Sequence, residues 1–361
     1  VVYWYEIPWL KTARQFLAGQ GLNLQENNIK KYLKKYDINC PIKYTNHHLS
    51  HAAAGYYTSN NKDACVVVID AIGEFETLTV WHGTGNKLKK VYSLSYPNSI
   101  GLWYSAMTDR IRLKPNEEEY ILMGMAATGK PKLTKDMLAE WITFGTKDPV
   151  TFKENFHRGI KHWRAGSVKH ENIAASTQQI YEMMFERVLQ TAVSLVPTKN
   201  LVLMGGCALN CVANPIAYKY FDTVWIYPAP GDNGSAIGAV LAHKPHWRDY
   251  TDWSNPFLGY DLSLHTNNET IVDYLIENKI CGLARGRAEF GPRALGNRSL
   301  LADPRGPEIK DKVNAIKRRE KFRPFAPAIL AELADDYFDI PSERSPYMQM
   351  VARCRNPDLF L

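Results

Sequence analysis

The run Cys65-Val66-Val67-Val68-Ile69-Asp70 sets the tightest limit on how this chain can fold. An unbroken apolar stretch rich in β-branched residues does not alternate in and out, so it fits a strand buried on both faces. A second such stretch, Leu201-Val202-Leu203-Met204, ends in the pair Gly205-Gly206. Buried strands separated by helical segments put the chain in the α/β class. After Asp70, Ala71-Ile72-Gly73-Glu74 turns the chain and residues 76–81 alternate as a second strand. Gly83-Thr84-Gly85-Asn86 turns it again into a third strand over 87–94, its Gly-Thr-Gly reading as a hairpin tip. A glycine turn entered by a buried-strand aspartate suits a loop whose amides face phosphates while the carboxylate faces their metal.

Asn46-His47-His48-Leu49-Ser50-His51 reads as a loop running into a helix. Residues four apart share a helix face, so His47 and His51 can aim at one point, where a divalent ion would still need carboxylates. Asp70 and Asp232 are the candidates. Asp232 sits in Pro230-Gly231-Asp232-Asn233-Gly234 before an Ala/Gly-rich helix, where it either caps that helix or binds a ligand. Paired glycines at 205–206 let backbone approach a flat ligand, with Asn210 on the helix that follows. Residues 9–36 read as helical, residues 155–174 as a polar, mobile excursion, residues 177–196 as a helix stopped by Pro197, and residues 243–260 as a linker.

The net charge of +7 is concentrated. Between Arg285 and Arg323 there are 12 Lys/Arg against 5 Asp/Glu, while the rest of the chain balances 32 against 32. That pattern argues for a focused anion site over a generally basic surface. The six cysteines show no paired metal spacing and no disulfide framework, which favours free thiols in a reducing, cytoplasmic compartment. No apolar run is long enough to span a bilayer, and no leader peptide is legible. Val1-Val2-Tyr3-Trp4 reads as a strand from within a domain, so further residues are expected ahead of it.

These pieces, in order, resemble the O-carbamoyltransferases that modify antibiotics and nodulation factors, the NodU/CmcH family. The resemblance rests on His47-His48-Leu49-Ser50-His51-Ala52-Ala53, Asp70 with Gly73-Glu74, Ser99-Ile100-Gly101, and Met123-Gly124-Met125-Ala126. It continues through Gly205-Gly206-Cys207-Ala208-Leu209-Asn210, Pro230 to Gly234, Gly286 to Ser299, and Phe322-Arg323-Pro324-Phe325-Ala326-Pro327. It implies an actin-like (ASKHA) ATP-binding domain over 1–255, related to threonylcarbamoyl-tRNA enzymes, and a smaller α/β, YrdC-like domain over 256–361 that takes up carbamoyl phosphate. It also implies transfer of a carbamoyl group to a hydroxyl through carbamoyl-adenylate. Carried over by motif, His47, His51, Asp70 and Asp232 would hold a divalent metal, iron ahead of manganese or zinc. Gly73, Gly101, Gly205, Gly206, Asn210 and Gly231 would line the nucleotide, and Arg293, Lys317 and Arg323 would grip carbamoyl phosphate. The chain departs from the family in lacking its first strands before Val1 and its last motifs after Leu361. The family's Glu-Tyr-Lys-Val-Met-Gly stands here as Glu119-Tyr120-Ile121-Leu122-Met123-Gly124, so no cation is supplied at 121.

Two like-charged substrates must meet in such a site, and cations with a metal offset their repulsion. Activation as an adenylate leaves the last step needing a positioned hydroxyl and a base, for which His48 is the candidate. The acceptor is expected to be a small hydroxylated molecule. Rival readings are carbamoylation of a hydroxymethylated nucleic-acid base, a kinase or ATPase of the same superfamily, and a non-enzymatic basic module binding nucleic acid. The polyanion readings would use Arg305, Lys310, Lys312, Arg318, Arg319 and Lys321 on a solvent-facing side.

Overall fold

The computed structural model describes residues 1–164, 166, 168–250, 253–263, 266–342 and 344–360. The chain opens with a parallel pair, β1 (Val2–Trp4) beside β2 (Ile42–Tyr44). Between them are two helices, α1 (Pro8–Leu17) and α2 (Ile29–Lys34), where the sequence suggested one continuous helix. Gly19 and Gly21, both at positive φ, turn the chain after α1, and the Asn28 side chain starts α2 by accepting from the Lys31 N–H.

Helix α3 (His47–Thr58) follows, capped by Asn46, whose side chain accepts from the Leu49 N–H at 3.2 Å. Strands β3 (Asp63–Ile69), β4 (Glu76–Thr84) and β5 (Lys87–Ser95) form an antiparallel meander. Helices α4 (Ile100–Arg110), α5 (Glu119–Ala126) and α6 (Thr134–Trp141) come next, with a small antiparallel pair, β6 (Ile142–Thr143) and β7 (Thr151–Phe152). Helix α7 (His170–Leu195) begins earlier than its apolar periodicity suggested. Phe156 ahead of it and Ile173 and Ala174 near its start are buried in the core, so the described residues of 155–174 are anchored to it.

Strands β8 (Asn200–Met204) and β9 (Thr223–Ile226) complete a five-stranded sheet in the order β5-β4-β3-β8-β9, with β3–β8 and β8–β9 parallel. The period of two explains why β3 is apolar throughout. Cys65, Val67 and Ile69 face the α4 and α7 side, among Trp103, Tyr181 and Met184. Ala64, Val66 and Val68 face α3, among Ala52, Ala53 and Tyr56. Each fully buried valine contributes about 1.5–3 kcal/mol relative to exposure. The layers thus place the ends of β3 and β8, and the loops after them, beside the start of α3.

Helix α8 (Asp232–His243) packs on α3. Beyond 253 the chain forms α9 (Asn268–Asn278), an antiparallel pair β10 (Ile280–Ala284) and β11 (Arg298–Ala302), and α10 (Ile309–Ile316). This second sheet shares no ladder with the first. The chain beyond 253 is tied to the first part by Gln349, whose side chain donates to the Tyr227 carbonyl at 2.8 Å, and by the Val351 N–H, which donates to the Cys211 carbonyl at 3.1 Å. Among the described residues no helix is long and apolar enough to cross a membrane.

Candidate functional site

At the start of α3, His47 Nε2 lies 3.1 Å from Asp70 Oδ2 and 3.4 Å from Asp232 Oδ1. His51 Nε2, one turn on, lies 3.1 Å from His47 Nε2, 3.3 Å from Asp232 Oδ1 and 4.0 Å from Asp70 Oδ2. The four donor atoms stand within 4.8 Å of one another. Ligands bound at about 2.1 Å to one ion stand about 3.0–3.4 Å apart, so two imidazoles and two carboxylates here fit a single divalent cation. The histidines and Asp70 are buried, while Asp232 is exposed and marks the open side.

The surroundings aim these groups. Asp70 ends β3 and also accepts the Gly206 N–H through Oδ1 at 3.1 Å. His51 Nδ1 faces Ser235 Oγ at 3.1 Å, which orients the ring. Glu74 receives the N–H groups of Ile7 and His47 and the Asn46 amide, fixing the entry to α3. Asp232 does not cap α8: Gly231 holds the cap position, so the carboxylate is free to reach the histidines. Burial opposes charge on His47, but hydrogen bonds to Asp232 and Asp70 outweigh it and raise its pKa to about 10. Burial likewise opposes charge on Asp70, yet the His47 contact brings it down to about 2, and both histidines hold Asp232 well below the usual carboxylate range.

The glycines border this cluster. A Cβ on Gly206 would stand 3.1 Å from Asp70 Oδ1, one on Gly73 3.0 Å from the His47 ring, and one on Gly231 3.9 Å from the Gly206 Cα. Gly205, at φ +89°, passes so near the Ile69 carbonyl that a Cβ would come within 2.1 Å of its oxygen. Gly101 is buried against the backbone of Ala71, so close packing accounts for it. Asn210 ends a 3-10 turn instead of lying on a helix, and its amide is paired with Gln178 at 3.0 and 3.1 Å. Its oxygen also takes the Ala213 N–H, so the oxygen is fully engaged.

His48, the candidate base, sits apart from the metal-type cluster. It points a third of a turn away from its neighbours, is wholly buried, and sets Nδ1 3.0 Å from Thr79 Oγ1. Burial, reinforced by His47, holds its pKa well below the usual value, which favours the neutral ring.

Of the basic segment, Arg293 donates through Nη2 to the Leu209 carbonyl at 3.3 Å. Leu209 is three residues past Gly206, within about 11 Å along the chain, so Arg293 borders the same loops. Lys317 ends α10, exposed and in no ion pair among the described residues. Arg323 is mostly covered, with Nε 2.6 Å from Glu320 Oε2 and its guanidinium 4.8 Å over the Tyr120 ring. Arg298, by contrast, spends its guanidinium on the carbonyls of Arg285, Asn297, Tyr260 and Gly286. Four of the six cations suggested for a polyanion are also engaged: Arg305 with Asp303, Lys312 with Glu308, Lys321 with Asp311, and Arg319 with Asn314 and the Phe325 ring. Ile121 is buried, so an apolar residue there packs in the core.

Two residues escaped the sequence reading. Ser235, which orients His51, looked like an ordinary small residue on an Ala/Gly-rich helix. Tyr5 lies with its ring 5.7 Å from that of His47, and burial, then the negative charge of Asp232, raises its phenol pKa. Only the pairing of β1 with β2 brings it there.

The carbamoyltransferase N-terminus family matches residues 4–241, and the carbamoyltransferase C-terminus family matches residues 272–358. An uncharacterised protein of Synechocystis sp. is 34% identical over 95% of this chain and 65% of its own length. Nodulation protein NolNO of Sinorhizobium fredii is 31% identical over 87% of this chain and 51% of its own length. Nodulation protein NolO of Bradyrhizobium diazoefficiens is 31% identical over 86% and 63% respectively. The chain therefore spans about half to two thirds of the length of these curated relatives.

Proposed function

Because this chain belongs to the carbamoyltransferase family, we propose that it takes part in ATP-dependent transfer of a carbamoyl group from carbamoyl phosphate, through carbamoyl-adenylate, to a hydroxyl of a small molecule. The reading divides the chain into an actin-like nucleotide domain over 1–255 and a smaller, YrdC-like carbamoyl-phosphate domain over 256–361. The observation that carries it is one juxtaposition: four metal-type donors converge beside Gly206, and Arg293 reaches the Leu209 carbonyl of the same loop.

The roles follow from placement. His47, His51, Asp70 and Asp232 would hold a divalent ion, iron being the expected identity from the family resemblance. Such an ion offsets phosphate charge and orients the nucleotide. The backbone at Gly206 and Gly231 carries no side chain and borders the cluster, so phosphates can approach it there, while Gly73 and Gly205 let the chain pass close to His47 and Ile69. Arg293, Lys317 and Arg323 draw carbamoyl phosphate towards it, and the fork of Arg293 suits bidentate binding of phosphate. Hydrolysis of bound carbamoyl phosphate releases inorganic phosphate and leaves carbamate, and holding it at the seam beside ATP gives its oxygen the proximity to the α-phosphorus that adenylation needs, with pyrophosphate as the leaving group. Displacement of AMP from the adenylate by an acceptor hydroxyl then completes transfer.

The test is product analysis. With ATP and carbamoyl phosphate together, the protein should release pyrophosphate and inorganic phosphate, with AMP following as water or an acceptor hydroxyl takes the carbamoyl group, and neither pyrophosphate nor AMP should form when carbamoyl phosphate is withheld. Release of ADP independent of carbamoyl phosphate would replace this reading with that of a phosphotransferase or ATPase.

A further inference from the structure

The Arg323 guanidinium sits 4.8 Å from the centre of the Tyr120 ring, and Tyr120 belongs to α5, packed on the first part of the chain. The neighbouring side chain follows the same course: a Cβ on Gly124, one turn further along α5, would stand 3.6 Å from the Phe322 ring. Two successive residues of the basic segment are thus seated on one helix. From the other side the segment is held by Asn314, which is wholly buried and donates to the carbonyls of Lys321 at 3.2 Å and Arg323 at 3.1 Å. The same amide oxygen accepts from Arg319 Nε at 2.6 Å. The backbone at 323 is therefore fixed from its own domain, while the side chain is steered from the other.

We infer that Tyr120 is a positioning residue for Arg323, holding its guanidinium at the seam between the two parts so that its terminal nitrogens present to the phosphate of carbamoyl phosphate. The inference rests on the proposed reading that Arg323 binds that substrate. An aromatic face suits this task because it attracts a cation without neutralising it, leaving the charge available to an anion. Glu320 forms an ion pair with it, Oε2 standing 2.6 Å from Nε, and among the described residues no hydrogen bond is made by either Nη. The contact also makes anion binding depend on the seating of the basic segment on α5. Tyr120 is itself half exposed, so changing its ring need not open the core.

The experiment is calorimetric titration of carbamoyl phosphate, and separately of ATP, into the full chain and its variants, with thermal melts as the fold control. Tyr120→Ala should weaken carbamoyl phosphate about 3- to 10-fold and leave ATP affinity unchanged. Tyr120→Phe, which keeps the ring, should bind as the parent does. In an Arg323→Ala background, Tyr120→Ala should add nothing, since its only route to the phosphate has gone. Tyr120→Leu gives a second ring-less variant should the alanine form melt early. Unchanged carbamoyl phosphate affinity in the ring-less variants, or failure of Tyr120→Phe to restore it, overturns the role of Tyr120 while Arg323→Ala still weakens binding. No effect of Arg323→Ala itself overturns the assignment of Arg323, and the role of Tyr120 falls with it.

Discussion

Gly238 of α8 lies against Ser50 of α3 so closely that a Cβ on residue 238 would stand 1.7 Å from the Ser50 carbonyl oxygen. The same Cβ would meet the Ala54 backbone nitrogen at 2.8 Å. This crossing brings the first turn of α8, and with it Asp232, over His47 and His51. Gly238→Ala should therefore force the helices apart, costing about 1–3 kcal/mol by overpacking. Under the proposed metal role it should also lower metal content, because the candidate ligand Asp232 rides on the displaced helix. Melting curves together with metal analysis of the purified protein check this. A variant that melts like the parent and keeps its metal would show that the helices accommodate the methyl elsewhere.

Ser235→Ala tests the proposed metal site without replacing any of its four candidate ligands. Its Oγ faces His51 Nδ1 at 3.1 Å and fixes which ring nitrogen is left to bind. Partners of this kind typically account for about 10- to 100-fold in metal affinity. Ser235→Ala should weaken divalent-ion binding by that order with little change in melting temperature, measured by chelator competition. Equal affinity in both proteins would mean that packing alone orients the His51 ring.

Glu289 supplies the pH dependence of the basic segment. Burial opposes its charge, but the N–H groups of Leu295, Asn297 and Arg298 all donate to Oε1, and together they hold its pKa below the ordinary value of 4.5. A carboxylate with a lowered folded pKa stabilises the fold above its unfolded value, and that contribution fades as pH falls through the folded pKa. The gap in melting temperature between the parent and Glu289→Gln should thus be full above pH 5 and close at lower pH. A gap that is constant across this range would assign the loss to packing of the amide rather than to charge.

How far this site was legible depended on the range of the interactions involved. The helix spacing of His47 and His51, the aspartate ending a doubly buried strand and the glycines after β8 are local patterns, and their convergence could be anticipated from them. His48 was within reach of the same reasoning, since one residue along a helix turns its ring towards β4 and Thr79. Asn210 and Arg298 were not. Their side chains are occupied by Gln178 and by four carbonyls, partners that only tertiary packing brings together. The order β5-β4-β3-β8-β9 was equally out of reach, because a parallel neighbour such as β8 joins β3 across more than a hundred residues.

Arg293 and Arg298 stand five residues apart in one basic loop, yet their surroundings assign them opposite tasks. Arg298 satisfies four backbone carbonyls, so Arg298→Ala leaves acceptors unpaired and should destabilise the protein by about 1–3 kcal/mol. Among the described residues Arg293 makes one hydrogen bond, at 3.3 Å to the Leu209 carbonyl, and its loss should change stability by no more than about 0.5 kcal/mol. Carbamoyl phosphate binding should show the reverse order. Arg293→Ala should abolish it while ATP still binds, because the fork facing the phosphate has gone and the nucleotide loops remain. Titration of both ligands into both variants, beside denaturant melts, separates the two tasks. Loss of ATP and carbamoyl phosphate together in Arg293→Ala, with a lowered melting point, would make Arg293 a structural strut of the 206–211 loop and remove it from the anion site.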